Sequence, residues 1–156
     1  MSAGASGGIA GRLSARLWLA AGAAVALVAT VGSLTFSLGY GYIPCDLCWY
    51  QRILMYPLVV VLGVAASEDR PGVYRTALPL ALGGTAIAAY HSVLQRTGSG
   101  VCGFGGGCAA IQWQVPVVGL SIPNLSLLAF VLILGTLVAA LRQSASAGST
   151  TSPVSG

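Results

Sequence analysis

Four stretches of this chain are too long and too apolar to serve as core elements of a small water-soluble domain. From Leu17 to Cys45 no residue carries a charge. As a helix of roughly 20 residues, Leu17 to Leu38 would cross a hydrocarbon core about 30 Å thick. It is also longer than the apolar core of a cleaved secretory signal, about 7 to 15 residues, so the segment reads as a retained span. The second run, Leu47 to Ser67, is interrupted by Arg52 and Pro57. The third, Thr76 to Gln95, carries His91 and has Arg96 just outside it. The fourth opens at Ile122-Pro123, with proline near the first turn where its missing N–H costs nothing, and ends at Leu141-Arg142. Backbone in lipid has to satisfy its own hydrogen bonds, so runs of this length are helices.

The expectation is an all-α integral membrane protein, a four-helix bundle over residues 17–142. Its helices should cover about 17–38, 47–67, 76–95 and 122–141, with two short loops on the extracytoplasmic side. Residues 1–16, rich in Gly, Ser and Ala, read as a flexible cytoplasmic lead-in, and 143–156 as a disordered tail. Only 6% of residues are charged, against about 25% in a soluble domain, which excludes a water-facing surface of ordinary kind. There is no internal repeat.

The net charge of +4 is carried entirely by arginine. Arginines scattered singly between apolar runs form no stripe that tracks phosphates, so nucleic acid is not the partner. Arg12, Arg16, Arg70, Arg75 and Arg142 fall at the end of the bundle that holds both termini and the link between the second and third helices, and Arg96 falls at the other. The positive-inside rule puts the arginine-rich end in the cytoplasm. Both cysteine pairs, Cys45/Cys48 and Cys102/Cys108, then face an oxidising compartment where disulfides persist. Trp49, Tyr50 and Trp113 would form an outer aromatic belt, with Trp18 as the inner anchor.

Pro44-Cys45-Asp46-Leu47-Cys48-Trp49-Tyr50-Gln51-Arg52 is the stretch with chemistry in it. If the chain is helical from Leu47, then Cys45, Cys48 and Arg52 share one face at i, i+3 and i+7. Helix N-termini and neighbouring cations favour a thiolate, the reactive form of the sulfur. Four sulfurs could instead bind zinc, but the Arg52 charge one turn away opposes a doubly negative tetrathiolate centre, so no metal is expected. Arg52 lies about 10 Å in from Cys45 and His91 about 7.5 Å in from Arg96, at a rise of 1.5 Å per residue. Two polar groups at one depth beside a dithiol suggest a pocket for an apolar molecule with polar oxygens, such as a membrane quinone. Residues 97–121 are Gly-rich and too broken to span.

The Cys-x-x-Cys-x-x-x-Arg sequence resembles the signature of the DsbB family of disulfide-formation membrane proteins. Ala89-Tyr90-His91-Ser92-Val93-Leu94-Gln95 and the stretch from Gln112-Trp113 to Ile122-Pro123 resemble further segments of that family. Cys102 and Cys108 enclose only Gly103-Phe104-Gly105-Gly106-Gly107, as in the shorter-loop BdbC-like branch of Gram-positive bacteria rather than the longer-loop proteobacterial members. The resemblance implies a thiol–quinone oxidoreductase with catalytic Cys45, Cys48, Cys102 and Cys108. An extracytoplasmic thioredoxin-fold oxidase (DsbA/BdbD-like) would give its electrons to Cys102/Cys108, whence they pass to Cys45/Cys48 and on to menaquinone or ubiquinone. It also implies that Cys102 forms the mixed disulfide with the oxidase, that Cys48 faces the quinone, and that Arg52 and His91 bind it. A glycine-rich loop could carry its cysteines between partner and membrane. A small four-helix transporter or structural protein with two stabilising disulfides is the rival reading. So is a vitamin K epoxide reductase-like enzyme, though there the quinone-proximal pair lies late in the bundle.

Overall fold

The computed structural model describes residues 3–68, 70–98, 107–116 and 119–149. Four helices carry it: α1 (Ala3–Leu34), α2 (Asp46–Glu68), α3 (Tyr74–Thr97) and α4 (Ile122–Ser149). A π-helical turn, Thr35–Gly39, extends α1, and a short 3-10 turn, Pro71–Val73, leads into α3. Each helix contains a segment long and apolar enough to cross a membrane. The only β pairing among the described residues is the bridge Gln114–Ser121.

Local chemistry sets these limits. Asp46 supplies a negative charge to the first turn of α2, where the helix dipole favours it, and the Trp49 amide donates to the Cys45 carbonyl at 3.0 Å. Helix α2 runs unbroken through Pro57. Gly98, at φ +63°, ends α3 in the left-handed conformation, its amide donating to the Leu94 carbonyl. The outer helices run beyond the apolar stretches. Helix α1 begins at Ala3, inside the segment whose composition reads as flexible, and α4 continues through Ser149 into the segment that reads as tail. The physical reason is cooperativity: once a span has nucleated a helix, each added residue costs little. Ser144 and Ser146 assist by donating their hydroxyls to carbonyls four residues back.

Helix α1 packs on α2 and α4, and α3 packs on the same two, so that α1 and α3 lie on one diagonal. Phe130, Leu58, Leu62, Ile133 and Leu137 are completely buried in the interior. Small residues let the backbones approach, as is usual where lipid rather than water surrounds a bundle. Ala26, Ala77, Ala81 and Ala88 are fully buried, and Gly84 lies under the Phe130 ring. Large apolar side chains also point outward on all four helices, among them Val28, Val60, Leu82 and Val131. A surface apolar all round suits lipid. At the end holding residues 68–74, Arg16 donates to the carbonyls of Ala66 and Ser67 at 2.9 and 3.3 Å and so closes the C-terminus of α2. The exposed pair Glu68–Arg70, at 2.5 Å, adds little.

Candidate redox site

The site lies at the opposite end, where α2 begins, α3 ends and the segment before α4 folds over both. Cys45 precedes α2 and Cys48 sits in its first turn, with their sulfurs 3.0 Å apart. His91, at the start of the last two turns of α3 and almost fully buried, brings Nε2 to 3.8 Å from the Cys45 sulfur. The same Nε2 lies 3.0 Å from the Cys108 carbonyl oxygen, and Nδ1 lies 3.0 Å from the Gln51 amide nitrogen. Those partners fix the tautomer: a carbonyl only accepts, so Nε2 carries the proton, and Nδ1 accepts from the Gln51 amide. Cys45, Cys48 and His91 offer three atoms within 4.8 Å of one another, a spacing one metal ion could bridge. With its proton directed at Cys108, however, Nε2 presents no lone pair to a metal.

Cys108 itself is buried, and its segment is pinned from several sides. Gln95 donates to the Ala110 carbonyl at 3.3 Å and accepts from Ser121 at 2.6 Å. Gln112 donates to the Ile43 carbonyl at 3.1 Å. The Val115 amide donates to the Leu120 carbonyl at 2.9 Å and Gly119, at φ +66°, donates to the Val115 carbonyl at 2.8 Å. The glycine-rich linker expected to move begins next to this anchored segment. Cys102 and residues 103–106 lie outside the described residues.

On the other side of the cysteine pair is an apolar cleft of about 550 Å³ between α1, α2 and α4. Cys48, Gln51, Arg52 and Tyr56 line it from α2, Ser33 and Ser37 from α1 and its π turn. Cys45 does not line it. Cys45 borders instead a pocket of about 20 Å³, room for about one water, together with His91 and Gln95. Cys48 lines both spaces. The dithiol is therefore polarised: Cys45 meets only the small pocket beside His91, and Cys48 opens onto the cleft as well. The hydrogen bond to Cys48, and then burial, push the Cys45 thiol up to about 12, so the proton of Cys45 is firmly held.

Sequence reasoning put Arg52 and His91 in one pocket, but the structure separates them. Arg52 lines the cleft, whereas His91 lines the small pocket, with Cys48 bordering both. A similar count of residues from the helix end did not mean a shared azimuth. Gln51, buried between the two, had no role assigned from sequence; its adjacency to Arg52 in the motif was the available signal. Trp49 and Tyr50 are exposed on α2 as a belt would be, while Trp113 packs on Phe36 with ring centroids 4.9 Å apart.

A family profile described as DsbB: Disulfide bond formation protein DsbB matches residues 15–140. "Disulfide bond formation protein C" of Bacillus subtilis is 43% identical over 118 residues, covering 70% of this chain and 82% of the relative. "Probable disulfide formation protein" of Deinococcus radiodurans is 44% identical over 126 residues, 72% of this chain and 81% of that one. "Probable disulfide formation protein C 1" of Bacillus anthracis is 40% identical over 114 residues, 68% and 78% of the two chains. No solved structure matches the chain. A paired dithiol at the head of a four-helix membrane bundle, and relatives of this kind over most of its length, make the chain a multi-pass membrane oxidoreductase of disulfide formation that belongs to the DsbB family, in its BdbC-like branch.

Proposed function

We propose that the protein is a thiol–quinone oxidoreductase that reoxidises an extracytoplasmic thioredoxin-fold dithiol oxidase. The observation that carries this reading is the polarised dithiol: Cys45 turned toward His91 and the Cys108 segment, Cys48 opening onto an apolar cleft beside Arg52. Both termini lie in the cytoplasm and both cysteine pairs outside, by the asymmetry of the arginines.

In this reading the dithiol of the partner attacks the Cys102–Cys108 disulfide and leaves as a disulfide, through a mixed disulfide on Cys102. The reduced pair then exchanges with the Cys45–Cys48 disulfide, so that the Cys102–Cys108 bond re-forms as Cys45–Cys48 is reduced. Each exchange moves two electrons and two protons and breaks one S–S bond for each one formed. Quinone is the acceptor that takes the two electrons and two protons from Cys45/Cys48. Its fit to the cleft rests on residues of this chain: apolar walls for a ring and tail, and a guanidinium and a glutamine amide for ring oxygens. Menaquinone and ubiquinone both meet those terms. His91 acts from the other side, donating from Nε2 toward the Cys108 carbonyl and the Cys45 sulfur.

The test is turnover in proteoliposomes supplied with a reduced thioredoxin-fold oxidase and a quinone, followed by the ultraviolet absorbance of the quinone. Wild-type protein should oxidise one dithiol per quinone reduced, and Cys48→Ser should stop the reaction. Undiminished turnover in Cys48→Ser would overturn the mechanism.

A further inference from the structure

Arg52 is half-buried, faces an apolar cleft, and makes no ion pair among the described residues. A guanidinium in such a place needs dipoles to hold it. Helix α1 supplies them. Arg52 Nε donates to Ser33 Oγ at 2.8 Å, Nη2 donates to the Ser33 carbonyl at 2.9 Å, and Nη2 donates again to Ser37 Oγ. Three of the five N–H groups are thereby used, Nε–H and both of Nη2. The guanidinium is planar, so contacts at Nε and Nη2 fix the direction of Nη1. Nη1, with two N–H groups, has no partner among the described residues. The Trp49 ring lies 5.4 Å from Cζ and steadies one face.

Membrane serines usually bond only the carbonyl four residues back. Thr35, Thr85 and Ser144 do so here, and Ser37 lies 3.3 Å from the Ser33 carbonyl in the same way. What distinguishes this pair is that both hydroxyls also accept from Arg52. The π turn starts between them, at Thr35, and widens the helix where Ser37 meets the arginine. Single π turns inside helices concentrate at functional sites.

We propose that Ser33 and Ser37 are positioning residues for the electron acceptor: they clamp Nε and Nη2 of Arg52 so that its free Nη1 is presented to a carbonyl oxygen of the quinone in the cleft. The proposal rests on the quinone reading given above and adds the residues that set the affinity for it. Without the clamp, Arg52 is free to extend toward the interface, as long basic side chains do.

Three proteins decide it: wild type, Ser33→Ala/Ser37→Ala, and Ser33→Thr/Ser37→Thr, which keeps both hydroxyls. In proteoliposomes with a reduced thioredoxin-fold oxidase, the double alanine variant should raise KM for a short-tailed ubiquinone and for menadione about tenfold, about 1.4 kcal/mol. KM for the oxidase should not move, and the threonine variant should return to within about threefold of wild type. An unchanged quinone KM in the alanine variant, or an equal rise in the threonine variant, would overturn the clamp. Should wild type reduce neither quinone, the acceptor reading fails, and the clamp is decided separately by exchange of the Arg52 Nε–H with water in ¹⁵N spectra. Slow exchange in wild type and fast exchange in the alanine variant supports it, and equal exchange sinks it.

Discussion

A methyl group added at Gly84 would have to occupy space the Phe130 ring already fills. A Cβ built there falls 2.1, 2.2 and 2.5 Å from Cε1, Cζ and Cδ1 of that ring. Carbon pairs are at their optimum near 3.5 to 4.0 Å, so the ring would have to retreat by roughly 1.5 Å. Phe130 is 0% exposed and sits among Leu58, Ile133 and Leu137, so no retreat is open to it. Gly84→Ala should therefore destabilise the bundle by the upper part of the usual overpacking cost, about 2–3 kcal/mol. That raises the unfolded fraction on the order of 30- to 150-fold. Two glycines serve as controls. At Gly83 the nearest neighbour is Leu54 Cδ1 at 3.6 Å, ordinary contact, and at Gly135 nothing lies within 4 Å. Both alanine variants there should match or exceed wild type, since alanine is the better helix former by about 1 kcal/mol. Thermal unfolding in detergent compares all three. Adding Phe130→Leu to Gly84→Ala should recover part of the loss, a coupling expected only of residues in contact. A Gly84→Ala protein as stable as Gly83→Ala would refute the packing described for α3 on α4.

Three more outcomes follow from the site. Gln51→Leu leaves His91 Nδ1 buried without a donor and should cost about 1–3 kcal/mol in detergent unfolding, with turnover falling because the tautomer is no longer fixed; equal stability and rate would remove Gln51 from the site. His91→Ala releases the Cys108 carbonyl, so Cys108, 1% exposed in the native chain, should be alkylated severalfold faster by maleimide, and an unchanged rate would mean the other contacts alone hold that segment. The Cys45 thiol, pushed up to about 12, binds its proton more tightly folded than unfolded, so its contribution is whole below about pH 9 and is lost as pH rises toward 12. In reduced protein, iodoacetamide labelling of Cys45, read by mass spectrometry of its peptide, should still be accelerating between pH 9 and 11, and a plateau near pH 9 would contradict the Cys45–Cys48 hydrogen bond.

What the sequence made legible and what it hid divide along one physical line. Span number and type could be read because a membrane imposes a length and a polarity on each run, and Leu17–Leu38 or Leu47–Ser67 satisfy both without reference to any neighbour. The Cys45/Cys48 pair could be read because its spacing is local to one helix start. Depth is also local, being a count of residues from a helix end. Azimuth is not local. Which way His91 faces depends on how α3 is rotated against α2, and nothing in the motif encodes that rotation. Gln51 reports it: buried between the two, it reaches back to His91 while its neighbour Arg52 turns the other way to Ser33. Two consecutive residues of one helix, about 100° apart, thus bond to two different helices, Gln51 to α3 and Arg52 to α1. In the proposed relay, a dithiol that exchanges with another cysteine pair and with an apolar acceptor would need such a division, because groups that tune one sulfur would otherwise crowd the second.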